Sequence, residues 1–183
     1  MHPQPDPRAL ECAQFWLDLG LEGWFKKSDA FDAEFRERFL DLHFSAARRE
    51  LDGWSEHADG SFALMVLLDQ FPRNSFRGSG HMYATDPLAR YFARKAIAAG
   101  HDKDIDASAR VFFYLPFSHS EDIEDQKSAV ELNRGIDPEF LKHAVQHRDI
   151  VARFGRFPHR NAILGRETTP DEQAFLEAGG FAG

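Results

Sequence analysis

The chain has 183 residues and a net charge of -8, from 22 Lys and Arg residues against 30 Asp and Glu residues. This length suits one domain with a substantial core, and the acidic balance excludes a broadly basic surface for nucleic acids or anionic membranes. A single cysteine, Cys12, excludes an internal disulfide framework, and the lack of a membrane-length apolar run or a signal-peptide pattern predicts a cytoplasmic protein.

Helix signals recur along the whole chain. Four pairs place an N-cap residue directly before a proline at the first helical position: Asp6-Pro7, Asp86-Pro87, Asp137-Pro138 and Thr169-Pro170. Glycines that suit helix C-termini follow at Gly20, Gly53, Gly100, Gly135 and Gly179. These signals predict about eight helices, at residues 7–19, 29–52, 61–71, 87–99, 107–117, 120–134, 138–154 and 170–178.

The third predicted helix is apolar on every side until Asp69, which places it at the centre of the fold. A carboxylate near a helix C-terminus is disfavoured by the helix dipole, so Asp69 needs a positive partner. Arg73 and Arg77 follow directly. Two interpretations stay open: a local ion pair that ends the helix, or an Asp69 that holds the arginines in a fixed orientation.

Residues 111–115 are the one stretch whose residue types favour a β-strand. They have no evident partner strand, so we predict a buried helix that is stopped or kinked by Pro116. The chain is therefore predicted to be all-α, with one domain spanning residues 1–183.

A polar segment follows, containing His119, Glu121 and Asp122. Residues 118–121 fit a capping box, in which Glu121 only begins the next helix. Alternatively, these carboxylates pair with arginines that lie elsewhere in the chain.

The seventh predicted helix carries Arg148 in the middle of its apolar arc, with His143 and His147 on the flank of that arc. An unpaired buried guanidinium costs on the order of several kcal/mol. We therefore predict that Arg148 is buried and salt-bridged to Glu121 or Asp122.

Residues 153–161 mix three arginines, a histidine and an asparagine with phenylalanines, and residues 71–78 show a similar mixture. Arginine is seldom buried unless it is paired, whereas phenylalanine favours burial. We therefore predict that these two segments meet residues 119–122 around one polar site.

These segments together resemble a bacterial family catalogued as domain of unknown function 924. The resemblance is carried by three motifs in order, and it extends over most of the chain. The motifs are residues 68–74 with 76–78, residues 114–117 with 119–122, and residues 147–148 with 153–161. It implies a tetratricopeptide-like all-helical fold, built from antiparallel helix pairs. It implies no activity for any residue.

The residue types at the predicted site favour anion binding, because planar guanidinium groups suit phosphate or carboxylate. We predict a pocket for a small anionic metabolite. Its predicted ligand-binding residues are Arg73, Asn74, Arg77, His119, Glu121, Arg148, Arg156, His159, Arg160 and Asn161. Two alternatives stay open: a structural salt-bridge network, and a tetratricopeptide-like module that binds a peptide or protein partner.

Metal-dependent and serine-dependent catalysis find less support. His143 and His147 have the spacing of two metal ligands, but Ala144 stands where a metalloprotease carries its general base. The serines beside His119 lack the G-x-S-x-G pattern of a nucleophile elbow. We therefore predict no metal and no cofactor, and no pattern assigns a reaction.

Overall fold

The computed structural model describes residues 5–182, and every regular element within them is helical. The predicted all-α class is therefore confirmed. The α-helices are α1 (Pro7–Leu17), α2 (Gly20–Trp24), α3 (Asp29–Ala47), α4 (Ala58–Met65), α5 (Phe71–Ser75), α6 (Asp86–Ala99), α7 (Leu115–Ser118), α8 (Ile123–Asn133), α9 (Pro138–Phe154) and α10 (Pro170–Glu177). Among these residues, no helix has both the length and the apolar character that crossing a bilayer requires.

The chain divides into two compact units. Of the described residues, the first unit holds 5–77 and 81–116, and the second unit holds 78–80 and 117–182. The single domain expected for residues 1–183 stays a prediction, as does the tetratricopeptide-like pairing of helices.

Helix starts follow the capping signals in three of the four predicted places. The side chains of Asp6, Asp137 and Thr169 each accept a backbone N–H of the helix that follows, and Thr169 belongs to a complete capping box. The fourth prediction is wrong, because α6 begins at Asp86 and its N-cap is Thr85. The Asp86 carboxylate binds an arginine instead of capping the helix.

The core of the first unit is centred on α4 and the turn after it, as the sequence predicts. Residues 62–68 are all buried, each with 1% exposure or less. Aromatic side chains from other helices and turns surround them, including Trp16, Phe35, Phe39, Phe92 and Phe112. The central helix is therefore stabilised mainly by apolar burial.

The segment predicted as a helix at residues 107–117 is divided in two. A 3₁₀ turn covers Arg110–Phe113, and α7 follows. Pro116 is the second residue of α7, where a missing backbone N–H costs nothing, so the proline begins a helix and does not stop one.

A π-helical turn at Val66–Gln70 joins α4 to α5. Its wider hydrogen bond runs from the Phe71 N–H to the Val66 carbonyl. Pro72 follows, and a proline inside an α-helix clashes with the carbonyl four residues earlier. The π turn relieves this clash, because it moves that carbonyl out of the regular hydrogen-bond ladder.

Side chains form hydrogen bonds with three carbonyls of this turn. His43 Nδ1 lies 2.9 Å from the Leu67 oxygen, Thr85 Oγ1 donates to the Leu68 oxygen at 2.6 Å, and Arg73 Nη1 donates to the Asp69 oxygen at 2.7 Å. Three side-chain hydrogen bonds thus stabilise this buried, irregular turn.

The second unit is built on the pair α8 and α9. Gly155 ends α9 in the left-handed conformation, with φ of 71°, and turns the chain so that Phe157 enters the interior. Phe157 packs with Ile150 and Val151, and a partly buried set covers them: Ile123, Phe154, Phe175 and Phe181.

Candidate functional site

Arg73 is bound by two carboxylates in the first unit. Its Nη1 and Nη2 donate to the two oxygens of Asp86 at 2.8 and 3.0 Å, and Nη1 lies 3.2 Å from Asp69 Oδ1. Burial alone would lower the pKa of Arg73, but the charges of Asp69 and Asp86 raise it above its ordinary value. The predicted ion pair between Asp69 and Arg73 is therefore formed.

Asn74 and Arg77 share a different acid. Asn74 Nδ2 donates to Asp32 Oδ1 at 2.7 Å, and Arg77 Nε donates to Asp32 Oδ2 at 3.1 Å. Asp32 lies in the first turn of α3, so these contacts attach α5 to α3. No local pattern in the sequence indicates Asp32 as the acid for these two side chains.

Glu121 is the acidic centre of the second unit. Arg166 donates to both of its oxygens, at 2.7 and 2.9 Å, and the Phe157 N–H donates to it at 2.7 Å. Burial would raise the pKa of Glu121, but the hydrogen bonds from Arg166 and Phe157 lower it below its usual range. The capping interpretation of Glu121 is wrong, because Asp122 is the N-cap of α8.

Arg156 and Asn161 meet a second carboxylate, Glu172. Arg156 donates to both Glu172 oxygens at 2.6 and 2.8 Å, and Asn161 Nδ2 donates at 3.1 Å. The hydrogen bond from Arg156 lowers the pKa of Glu172 to about 2. Asn161 is fully buried, and its Oδ1 accepts from Arg166 Nε at 3.0 Å, so the two carboxylates belong to one network.

The prediction that Arg148 is buried and paired with Glu121 or Asp122 is wrong. Its side chain is 35% exposed, and its Nη2 donates to the neighbouring Asp149 at 2.6 Å. The apolar residues on its side of α9, Val145 and Ala152, are themselves partly or fully exposed. The predicted apolar arc is therefore correct at Ala144 and Val151, which are buried, and wrong at Arg148 and the residues beside it.

His147 lies on the inward face instead. It shares that face with Ala144 and Val151, both buried, since residues three and four apart are neighbours on a helix. Its Nδ1 donates to the His143 carbonyl at 2.7 Å, and its ring packs edge-on against Phe157. Burial lowers the pKa of His147 to about 4, and nearby positive charge contributes.

His159 and Arg160 complete a cationic group in the second unit. Arg160 is 6% exposed, lies over the Phe157 ring at 4.6 Å and donates from Nη2 to the His119 carbonyl at 2.9 Å. Burial, with the charge of Arg160 next, lowers the pKa of His159 to about 4. In the described part of the chain, the buried Nδ1 of His159 has no hydrogen-bond partner.

The predicted site residues thus fall into separate groups. Within the second unit, His119, Glu121, His159 and Arg160 lie near one another, as their mutual effects on pKa indicate. Convergence of Arg73 and Arg77 with the second-unit arginines stays a prediction. Among residues 5–182 no group of three or more His, Cys, Asp or Glu side chains could hold a metal, and the expectation of no metal stays a prediction.

Six residues of these groups are absent from the predicted ligand-binding residues: Asp32, Asp69, Asp86, His147, Arg166 and Glu172. A cavity of about 600 Å³ in the first unit contains none of the predicted site residues. It is lined mainly by α1 and by the segment before α4, including Asp6, Leu10, Trp54, Glu56 and His57.

Residues 12–180 match a family model described as a bacterial protein of unknown function, DUF924. The chain is also similar to a solved structure, the protein of unknown function ATU0120 from Agrobacterium tumefaciens. The two sequences are 60% identical, the match covers 94% of this chain and 98% of that chain, and the TM-score is 0.92. None of the curated proteins compared with the chain matches it.

Proposed function

The chain belongs to the DUF924 family of bacterial proteins of unknown function, and for this member we propose that the second unit binds a small anion, carried as a phosphate or carboxylate group. The binding groups are Arg160 and the imidazoles of His119, His147 and His159. The proposal assigns binding and no reaction.

The observation that carries the proposal is the buried Nδ1 of His159, beside a buried guanidinium. A buried polar atom without a hydrogen bond costs about 1–3 kcal/mol, so native proteins keep few of them. An anionic oxygen placed there would accept a hydrogen bond from that nitrogen once it carries a proton. The same oxygen would lie in the field of Arg160.

The electrostatics support the same assignment. The pKa of His147 and that of His159 are both lowered to about 4, so both rings are neutral at pH 7. Burial is the first cause, and the positive charge of Arg160 adds to it in both cases. A bound anion would offset that charge and raise both pKa values, because an opposite charge favours the protonated ring. Anion binding is therefore expected to be coupled to proton uptake.

The other predicted site residues have a different role in this proposal. Protein carboxylates accept hydrogen bonds from Asn74, Arg77, Arg156 and Asn161. Glu121 is paired with Arg166. They hold the framework that positions Arg160 and the histidines. Arg148 lies outside the site.

A structural network without a ligand is the second candidate, and one observation favours it. Arg166 makes four hydrogen bonds, two to Glu121, one to Asn161 and one to the Phe157 carbonyl, which tie together three segments of the second unit. In that case the chain would be a module for a peptide or protein partner, and the histidines would serve packing alone.

Histidine NMR titrations with sodium phosphate and sodium acetate test the proposal. We expect either anion to shift the His147 and His159 resonances and to raise their pKa values. Arg160→Gln should weaken binding about tenfold or more, since a charge-assisted hydrogen bond contributes about 1.5–3 kcal/mol. His159→Leu should weaken it as well.

Arg148→Gln is the matched control, because it removes an arginine of the same unit that lies outside the site. It should leave binding unchanged. Melting temperatures of all variants separate the two candidates: a binding site loses affinity first, whereas a tether loses stability first. An anion site with any useful affinity should be occupied at roughly tens of millimolar anion. If no histidine resonance shifts at that concentration, the proposal is refuted.

A further inference from the structure

The ring of Phe181 lies directly against two partly buried histidines of the second unit, His147 and His159. Its centroid is 4.7 Å from the His147 ring and 5.1 Å from the His159 ring, and it meets both edge-on, at 62° and 81°. On another side it packs on the core formed by Ile150, Val151 and Phe157. An aromatic ring thus fills the space in front of both imidazoles.

The chain reaches this position through two glycines after α10. Gly179 has a φ of 80°, in the left-handed region that side chains other than glycine disfavour. A Cβ on Gly180 would lie 2.6 Å from the ring and the carbonyl oxygen of Phe175, which is too close for any other residue. The turn therefore has specific requirements, and its effect is to bring the ring of Phe181 back onto the histidines.

Side-chain packing, and no backbone hydrogen bond among the described residues, holds Phe181 there. Within the described residues, its backbone makes no hydrogen bond, and the last one before it runs from the Gly180 N–H to the Phe175 carbonyl. The side chain is half-buried. Its position depends on ring contacts alone, so a competing ring could replace it without breaking a hydrogen bond.

We propose that Phe181 occupies the apolar half of the anion site and that the ligand is an aromatic ring bearing a carboxylate or phosphate group. This inference rests on the proposed function above. The ligand ring takes the place of Phe181 between the edges of His147 and His159, and its acidic group reaches Arg160. Phe181 then swings outward on the glycine turn.

The surroundings of the ring favour this class of ligand over a bare anion. The rings of His147 and His159 both pack against Phe157. Together these rings form a surface on which another aromatic ring can pack edge-to-face. Arg160 lies over the Phe157 ring and follows His159 in the sequence. An acidic group attached to the ligand's aromatic ring would therefore meet the guanidinium of Arg160. A small hydrated anion would leave the apolar half of the site to Phe181.

Isothermal titration calorimetry with four probes tests the inference: inorganic phosphate, phenyl phosphate, acetate and benzoate. The variants are Phe181→Ala, which removes the ring, and Phe181→Leu, which keeps an apolar side chain and is the safeguard if the first variant loses stability. We expect phenyl phosphate and benzoate to bind the wild type more tightly than phosphate and acetate.

Removal of the competing ring in Phe181→Ala should lower the Kd of phenyl phosphate and of benzoate about tenfold. This is a change of the size expected for one aromatic contact. Phosphate and acetate should change by less than about twofold, within the uncertainty of such comparisons. Phe181→Leu should fall between wild type and Phe181→Ala.

The outcomes separate this inference from the proposed function. Binding of phosphate with no preference for phenyl phosphate in any variant overturns the aromatic ligand and leaves the anion site standing. Weaker or unchanged binding of phenyl phosphate to Phe181→Ala would show that Phe181 does not compete with the ligand. That result also overturns the inference. Failure of all four probes with every variant removes both proposals together.

Discussion

Arg166 and Glu121 illustrate, at the scale of single residues, how the acidic chain accommodates its arginines. Each side chain is about a quarter exposed, at 23% and 27%, and the pair is bidentate. A planar fork on a carboxylate is the geometry in which an ion pair contributes most, whereas most surface pairs contribute little. The pair therefore has a measurable role in the stability of the second unit.

Glu121→Ala should lower the free energy of unfolding by about 1–3 kcal/mol, because it removes three hydrogen bonds and leaves the Phe157 N–H without its acceptor. Chemical denaturation of the purified protein measures the change. Arg148→Met is the control, since its partner Asp149 is 61% exposed, and it should cost less than about 1 kcal/mol. Equal losses in the two variants would contradict this assignment.

The partly buried histidines His147 and His159 predict a pH dependence of stability. The pKa of His147 and of His159 is about 4 in the folded protein against an ordinary value of 6.5, so the unfolded chain binds more protons between these values. Stability from these rings is fully present above pH 6.5 and is lost as the pH falls through 4. The loss between pH 6.5 and 5 is at most about 2 kcal/mol per ring, at about 1.4 kcal/mol per pKa unit.

Denaturation at a series of pH values measures this slope, and His147→Gln should reduce it. His143→Gln, on the exposed side of the same helix, should not. His43 acts in the same direction, because burial lowers its pKa too, so part of the slope remains in both variants. Asp6 and Glu172, with pKa values lowered to about 2, add their loss only below about pH 4. Stability that is flat between pH 7 and 5 would contradict the burial of His147 and His159.

The π turn shows, at the scale of elements, how local sequence and tertiary partners share one task. Pro72 requires that the carbonyl of Leu68 leave the helical ladder, and Thr85 supplies the replacement donor from the segment before α6. The sequence shows the proline but not the donor. A regular helix to residue 71 was therefore the natural prediction, and it is correct only up to Met65.

Thr85→Val should lower the free energy of unfolding by about 1–3 kcal/mol, because it keeps the shape of the side chain and leaves a buried carbonyl without a donor. Ser128→Ala is the matched control: its hydroxyl also bonds a helix carbonyl, that of Glu124, but at an exposed position. It should change stability by no more than about 0.5 kcal/mol. A Thr85→Val loss no larger than that of the control would show that water or another group satisfies Leu68.

Several helix starts were predictable from the sequence, because caps and prolines act locally. The helix α9 begins and ends at residues 138 and 154, as predicted. The N-cap Thr169 forms the capping box of α10. Partner choice was not predictable in the same way. Glu172 serves the capping box and binds Arg156 as well, so its local role concealed its tertiary one.

The face of α9 was misjudged for a related reason. Val145 and Ala152 count as apolar in any helical wheel, yet neither is fully buried. Burial is decided by what packs against the helix, and His147 faces the Phe157 core although its residue type favours neither side. These contacts place His147 in the candidate site, whereas Arg148 lies outside it.

At the scale of the whole molecule, the two compact units do not correspond to two continuous pieces of chain. Gly78–Gly80 belongs with the second unit, although the residues on both sides of it belong with the first. A cut at a single peptide bond therefore cannot separate them. The single domain expected from the length of the chain stays a prediction.

Thermal unfolding should accordingly be one cooperative transition. Differential scanning calorimetry measures it, and the calorimetric and van't Hoff enthalpies should agree, as in a two-state domain. Glu121→Ala, whose contacts lie in the second unit, should shift this one transition without dividing it. Two resolved transitions, of which Glu121→Ala moves only one, would show that the units unfold independently.

The π turn also fixes the rotational phase of the helical run from Ala58 to Ser75. One residue corresponds to about 100° of rotation about a helix axis. Loss of one residue between Val66 and Gln70 would remove the extra residue of the π turn and bring back the clash between Pro72 and the carbonyl four residues before it. It would also turn the end of the run away from the side chains that meet its carbonyls. A change of chain length at this point would therefore disturb three side-chain contacts at once: those of His43 and Thr85, which lie far from the turn in the sequence, and that of Arg73 in the helix that follows it.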